Sequence, residues 1–280
     1  MINGFLLVNK DPGITSSRVV QIIKKKFKLK KVGHLGTLDP MATGLLIIAI
    51  NRATKFASLL LQSEKSYRAE VTLGIQTDTD DAEGEVISSK KADITELELK
   101  ETLLTFLGAS DQLPPDYSAL KHKGKPMYKY AKDGIKVKKA ARKIFVKNIQ
   151  NILIEIPKVS FDISCSKGTY VRSIARDLGA KLGCGAHLSR LTRTSQEKFM
   201  LSDAYSLNDV NLAGLISLEK AFEDLDFIKL NEKDCKAFLH GRSIEIDFDH
   251  TNLLRVYDSS NQFIAIGKNS SKGFKHEYLV

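Results

Sequence analysis

Residues 33–44 read Gly33-His34-Leu35-Gly36-Thr37-Leu38-Asp39-Pro40-Met41-Ala42-Thr43-Gly44, and the apolar run Leu45 to Ile50 follows at once. That run is strand-sized and bounded by turn formers, so it reads as a buried strand. The string before it reads as a loop anchored on that strand. Pro40 pushes Asp39 toward an extended backbone and keeps it out of a helix. The glycines on either side permit close approach of another chain segment. A carboxylate presented this way can act as a nucleophile or base on a bound group. A bare Asp-Pro pair is more often an ordinary turn or helix cap, so the weight rests on the whole twelve-residue string.

Outward from this loop, strands and helices intermix without a regular βαβ alternation. FLLVNK (5–10) reads as a strand and DPG as a turn, and Thr15 or Ser16 can cap a helix through RVVQIIKKKF. ATKFASLLLQ is a short helix, and KSYRAEVTL alternates like a strand. TDTDDAEGE is a polar loop. ITELELKETLLTFLG has helical periodicity and runs to Gly108. MYKYAKDG and YVRSIARDLGAKLG read as helices; RKIFVKNI, VSFDISCS and HLSRLTRTS read as strands. From about Asn231 come one short helix and three strands, around LLRVY, FIAIG and HEYLV. The order predicts an α+β fold with a mixed, mostly antiparallel sheet flanked by helices.

The chain has 280 residues and a formal net charge of +10. The charge is unevenly placed. Residues 121–147 carry eleven Lys or Arg and one acid, Asp133, a local net of +10; residues 24–31, KKKFKLKK, add six lysines and no acid. Residues 201–250 run the other way, with a net of −6. Concentrated positive charge is the footprint of polyanion binding, set against the ordinary solvated lysine-rich surface. The longest apolar runs are too short for a membrane span. Cys165, Cys184 and Cys235 are widely spaced without a C-x-x-C pair, which points to idle thiols in a reducing cytosol rather than a zinc site or disulfide. TDTDDAEGE fails the EF-hand template, because Ala82 stands at its fifth position and the glycine comes one residue late.

The string 33–44 resembles the signature G-H-x-G-x-L-D-P-x-A-T-G of the tRNA pseudouridine-55 synthase (TruB) family. Further blocks resemble the family in the same order: ATKF at 53–56, KSYRA at 65–69, LGIQTDTDDAEG at 73–84, PPDYSALKHKGKPMYKYAKDG at 114–134, and SCSKGTYVRSIARDLGAKLGCGAHLSRLTRT at 164–194. Several long motifs in one order are a specific signal. The resemblance implies the pseudouridine synthase fold, with a catalytic domain at 1–230 and a basic thumb insertion at 113–147. The last fifty residues are loosely similar to a small β-rich PUA-like RNA-binding module, expected at 231–280.

It also implies roles. Asp39 matches the catalytic aspartate, Tyr67 the tyrosine packing on the target base, and Arg172 a residue lining the same pocket; because a nearby arginine lowers a carboxylate's pKa, Arg172 is also the candidate partner that holds Asp39 ionised. Tyr170 and Leu191 match residues lining the same pocket, and His34 one that meets the opened RNA loop. Lys55 and Asp81 fall in matching motifs as substrate-binding candidates. The implied reaction turns uridine at position 55, in the T-arm loop of tRNA, into pseudouridine after base flipping. It needs no redox change and no net hydrolysis, so neither cofactor nor metal is expected. The carboxylate attacks either the sugar C1′ or the base C6. The expected partner is the tRNA T-arm stem-loop, with no membrane and no obligate protein partner, in the cytoplasm. Two other readings compete. A non-catalytic tRNA-folding or ribosome-assembly protein would need none of Asp39, Tyr67 and Arg172. A glycosidase-like hydrolase would need a second acid, for which Asp81 is the obvious candidate.

Overall fold

A computed structural model describes residues 2–61, 63–246, 253–271 and 273–280. A ten-stranded mixed sheet organises the larger part of the chain. Its strands run in the spatial order Tyr205–Ser206, Gly4–Lys10, Thr43–Ile50, Ala186–Gln196, Lys65–Leu73, Lys158–Cys165, Arg142–Glu155 and Gly108–Gln112. Phe199–Met200 and Val32–His34 pair off this path, on Ala186–Gln196 and Thr43–Ile50. Within this sheet, among the described residues, two pairings are parallel: Tyr205–Ser206 with Gly4–Lys10, and Ala186–Gln196 with Thr43–Ile50. The architecture is the expected mostly antiparallel α+β sheet.

Side-chain alternation explains how the central strands feed two cores. Leu46, Ile48 and Ile50 point to one face, with Leu6 and Val8, under the helices Ser16–Lys26, Glu96–Leu104 and Val171–Lys181. Leu45, Ile47 and Ala49 point to the other, with Phe5 and Leu7, against Phe56 of the helix Ala53–Leu61. A strand buried on both faces must be apolar throughout, and Leu45–Ile50 is.

Four details depart from the sequence reading. The loop before Asp39 contains the short strand Val32–His34. The helix expected to reach Gly108 ends at Leu104, and Gly108, at φ 89°, opens the edge strand Gly108–Gln112. The small C-terminal sheet gains the strand Phe227–Lys229, parallel to Leu253–Tyr257, so it begins four residues before Asn231. Finally, Arg142–Lys147 of the thumb segment belong to the main sheet, paired with Gly108–Gln112 and Lys158–Cys165. The projecting part of that segment holds a two-residue hairpin, Lys121–His122 with Lys125–Pro126, and the helix Met127–Lys132.

Candidate active site

The Asp39 loop is held from both sides by buried cations. On the downstream side Lys10, 1% exposed, donates from Nζ to the carbonyls of Asp11 (2.9 Å), Ile14 (2.7 Å) and Pro40 (3.0 Å). On the upstream side Arg193, 2% exposed, donates from Nη1 to Gly36 O (3.2 Å) and Leu45 O (3.2 Å), and from Nη2 to Thr37 O (3.0 Å). Between them Leu38 is buried, and its backbone N–H donates to Ser16 Oγ at 2.9 Å. Gly44 is required here. At φ 98° its added Cβ would sit 2.4 Å from Arg193 O, where the two parallel strands meet.

Asp39 thereby faces the first turn of the helix Val171–Lys181. Arg172 Nη2 donates to Asp39 Oδ1 at 3.0 Å, and its Nε stands 2.9 Å from Oδ2 as an ion-pair contact off the hydrogen-bond axis. Arg172 is 4% exposed, and its guanidinium also donates to Thr79 O (3.0 Å) and Tyr117 O (2.9 Å). Asp81 approaches the same Nε at 3.5 Å. Asp81 is buried because the loop 77–86 folds in. Its carboxylate accepts from Thr79 Oγ1 (2.6 Å) and the Glu83 N–H (3.0 Å), and residue 81 bridges to Leu188. The polar loop read from TDTDDAEGE is therefore partly structural, not simply solvated. Burial pushes the Asp39 carboxyl above the ordinary carboxylate value; Arg172 opposes that, and Asp81 reinforces it. The side chain keeps 32% of its surface open, toward the pocket.

That pocket has a volume of about 290 Å³. Tyr67 and Arg193 are register partners on adjacent strands, as are Ala69 and Leu191, so Tyr67, Leu191 and Arg193 share one face. The Arg193 guanidinium lies 5.6 Å from the Tyr67 ring centre. Burial keeps the Tyr67 hydroxyl protonated, raising its pKa, while Arg193 opposes the rise. Tyr170 also lines the pocket. Its backbone is clamped by Gln112, which accepts from its N–H at 2.8 Å and donates to its carbonyl at 3.0 Å.

Five of the residues singled out in sequence meet in this pocket: Asp39, Tyr67, Tyr170, Arg172 and Leu191. Asp81 supports Arg172 from behind without lining it. His34 is half-buried on its short strand, outside the lining, and burial lowers its pKa, with Arg193 adding to the effect. Lys55 is exposed on the helix Ala53–Leu61, also outside. The sequence reading missed Arg193, Lys10 and Gln112. It missed Lys65 too, which lines the pocket and whose ammonium is lowered to about 8 by burial, with Arg193 second.

The chain matches three family models in succession over residues 24–273. Residues 24–171 match the TruB family pseudouridylate synthase N-terminal domain, residues 172–230 the tRNA pseudouridylate synthase B C-terminal domain, and residues 227–273 the TruB pseudouridine synthase II C-terminal domain. It is 40% identical to the tRNA pseudouridine synthase B of Clostridium perfringens, over 100% of this chain and 99% of that one. It is 42% identical to that of Francisella philomiragia, over 98% and 95%. A solved H/ACA RNP bound to a substrate RNA containing 2′-deoxyuridine superposes with a TM-score of 0.72 at 25% identity, over 99% of this chain and 84% of the other. The chain belongs to the TruB family of pseudouridylate synthases.

Proposed function

We propose that this protein isomerises a uridine of tRNA to pseudouridine, at position 55 in the T-arm loop. The observation that carries this reading is the open edge of the Asp39 carboxylate, fixed by Arg172 against a small pocket walled by Tyr67 and Tyr170. Those two aromatic residues suit a flipped pyrimidine, which stacks on an aromatic face whatever its exact orientation.

The reaction breaks the N1–C1′ bond, joins C5 to C1′, moves the C5 hydrogen away as a proton and leaves a hydrogen on N1. It is redox-neutral, and its demands are a nucleophile, a proton carrier and exclusion of water. Asp39 supplies the nucleophile, to C1′ or to C6. Arg172 keeps it ionised against the burial that pushes its pKa up. The Tyr67 hydroxyl, kept protonated by burial and lining the same pocket, is the proton carrier of this reading. Leu191 and the Tyr67 ring exclude water, so that the detached uracil is retained. Incubation with an unmodified tRNA transcript, followed by chemical labelling of pseudouridine and reverse-transcription stops, tests the reading. A stop at the T-arm uridine is expected; no stop at any uridine would refute it.

A further inference from the structure

The six lysines of residues 24–31 take no part in the site described above. All six are exposed, while Leu29 among them is buried. Among the described residues none of them pairs with a carboxylate; Lys26 donates a hydrogen bond to Asn208 O at 2.7 Å. Three of them, Lys24, Lys25 and Lys26, sit in the last turn of the helix Ser16–Lys26, where cations favour the helix dipole. That account does not extend to Lys28, Lys30 and Lys31, which lie beyond the helix end. Arg18 and Gln21 continue the same polar face, lining a shallow groove with Lys25.

Position in the sheet gives this ridge a meaning. The ridge leads through Val32–His34 onto Thr43–Ile50. The thumb is inserted between the edge strand Gly108–Gln112 and its neighbour Arg142–Glu155. The pocket lies over the strands between them, Ala186–Gln196 and Lys65–Leu73. In the order of the sheet, the strand the ridge leads onto and the strands the thumb joins lie on either side of the pocket's strands. We propose that the Lys24–Lys31 ridge is a second phosphate-binding surface, gripping the backbone of an RNA helix on the side of the pocket opposite the thumb. The proposal rests on the RNA-modifying reading given above. Its ligand chemistry is a polyphosphate backbone read for charge and not for sequence.

The test changes Lys24, Lys25, Lys28 and Lys30 together to Gln in the full chain. A control changes Lys90, Lys91, Lys100 and Lys233, also exposed, by the same net charge. Binding of a tRNA transcript is measured across a salt series, with pseudouridine formation followed in parallel. Each phosphate that is no longer neutralised takes about 0.7 to 0.9 from the slope of log affinity against log salt, so two such phosphates lower it by roughly 1.4 or more. The expected result is that drop in the ridge variant alone, with a raised KM and an unchanged kcat at saturating tRNA. Equal slopes in wild type and ridge variant, or an equal fall in the control, would overturn the proposal. If the expected slope difference between wild type and ridge variant is seen while wild type makes no pseudouridine, the ridge stands and the catalytic reading falls.

Discussion

Arg172 lies between two carboxylates, its Nη2 3.0 Å from Asp39 Oδ1 and its Nε 3.5 Å from Asp81 Oδ2. One buried guanidinium thus meets a carboxylate that opens on the pocket and a second, buried carboxylate outside the pocket lining. It also donates to two backbone carbonyls from separate loops, so its position is over-determined.

Removing that cation should damage the site in a way pH reveals. Asp39 already titrates above the ordinary carboxylate value because of burial, and Arg172 opposes the shift. The acid limb of kcat should therefore lie above the usual carboxylate range and move to higher pH in Arg172→Met. Leaving two apposed carboxylates without their partner costs about 3–5 kcal/mol of stability. Arg172→Lys keeps the charge and gives up the fork, so it should fold better than Arg172→Met and still turn over slowly. A pH–rate profile with melting temperatures checks both; an unmoved acid limb in Arg172→Met would sever Arg172 from Asp39.

Tyr67 separates two roles by its ring and its hydroxyl. Tyr67→Phe keeps the stacking face, and Tyr67→Ala removes it. If the hydroxyl carries a proton, both variants lose turnover while tRNA affinity survives. If stacking is the sole role, only Tyr67→Ala fails. Wild-type turnover in Tyr67→Ala would mean the base binds elsewhere.

Arg193 is the cation that fixes Gly36, Thr37 and Leu45 while lying beneath Tyr67. Arg193→Met leaves buried carbonyls without donors, at about 1–3 kcal/mol each. Its melting temperature should fall and kcat should drop at least about tenfold, equivalent to 1.4 kcal/mol of barrier. The Tyr67 hydroxyl should also titrate higher without the cation, because Arg193 opposes the burial that raises it. Arg193→Lys should recover part of kcat; no recovery with intact folding would assign the defect to shape instead of charge.

The thumb lysines are not equivalent. Lys139 pairs with Asp116 at 2.8 Å and donates to Pro114 O at 2.6 Å, and its side chain is largely covered. Lys125 pairs with Asp133 at 2.7 Å. Replacing Lys136, Lys138 and Arg142 with alanine should lower the salt slope by roughly 0.7 to 0.9 for each phosphate left without its cation, and the modified uridine should stay the same. Lys139→Ala should instead loosen the thumb, with increased proteolysis there and little change in slope. A shifted modification site in the triple variant would show that the thumb reads sequence.

Much of this architecture is legible in the residues. The Asp39 loop announces itself because Pro40, the flanking glycines and the apolar strand impose one backbone path. Alternation in KSYRAEVTL places Tyr67 on the inward face. The strand Gly108–Gln112 leaves no such trace, since GASDQ buries only Gln112 and has no apolar period. Arg193 and Lys10 are equally silent. Cations neutralised by backbone carbonyls leave no acidic partner in the sequence to betray their burial. Asp81 reads as a substrate-binding candidate in a polar loop, and its burial behind Arg172 is not legible because it depends on a contact with Leu188, over a hundred residues away.

The proposed reaction stands or falls on Asp39 performing the chemistry and not merely forming part of the binding surface. The direct measurement uses tRNA carrying tritium at uracil C5, the position that gives up its hydrogen when C5 bonds to C1′. Wild type should release tritium to water and yield pseudouridine. Asp39→Asn should release none while binding tRNA within about tenfold of wild type, or 1.4 kcal/mol. Tritium release by Asp39→Asn near the wild-type rate, with pseudouridine formed, would contradict the account.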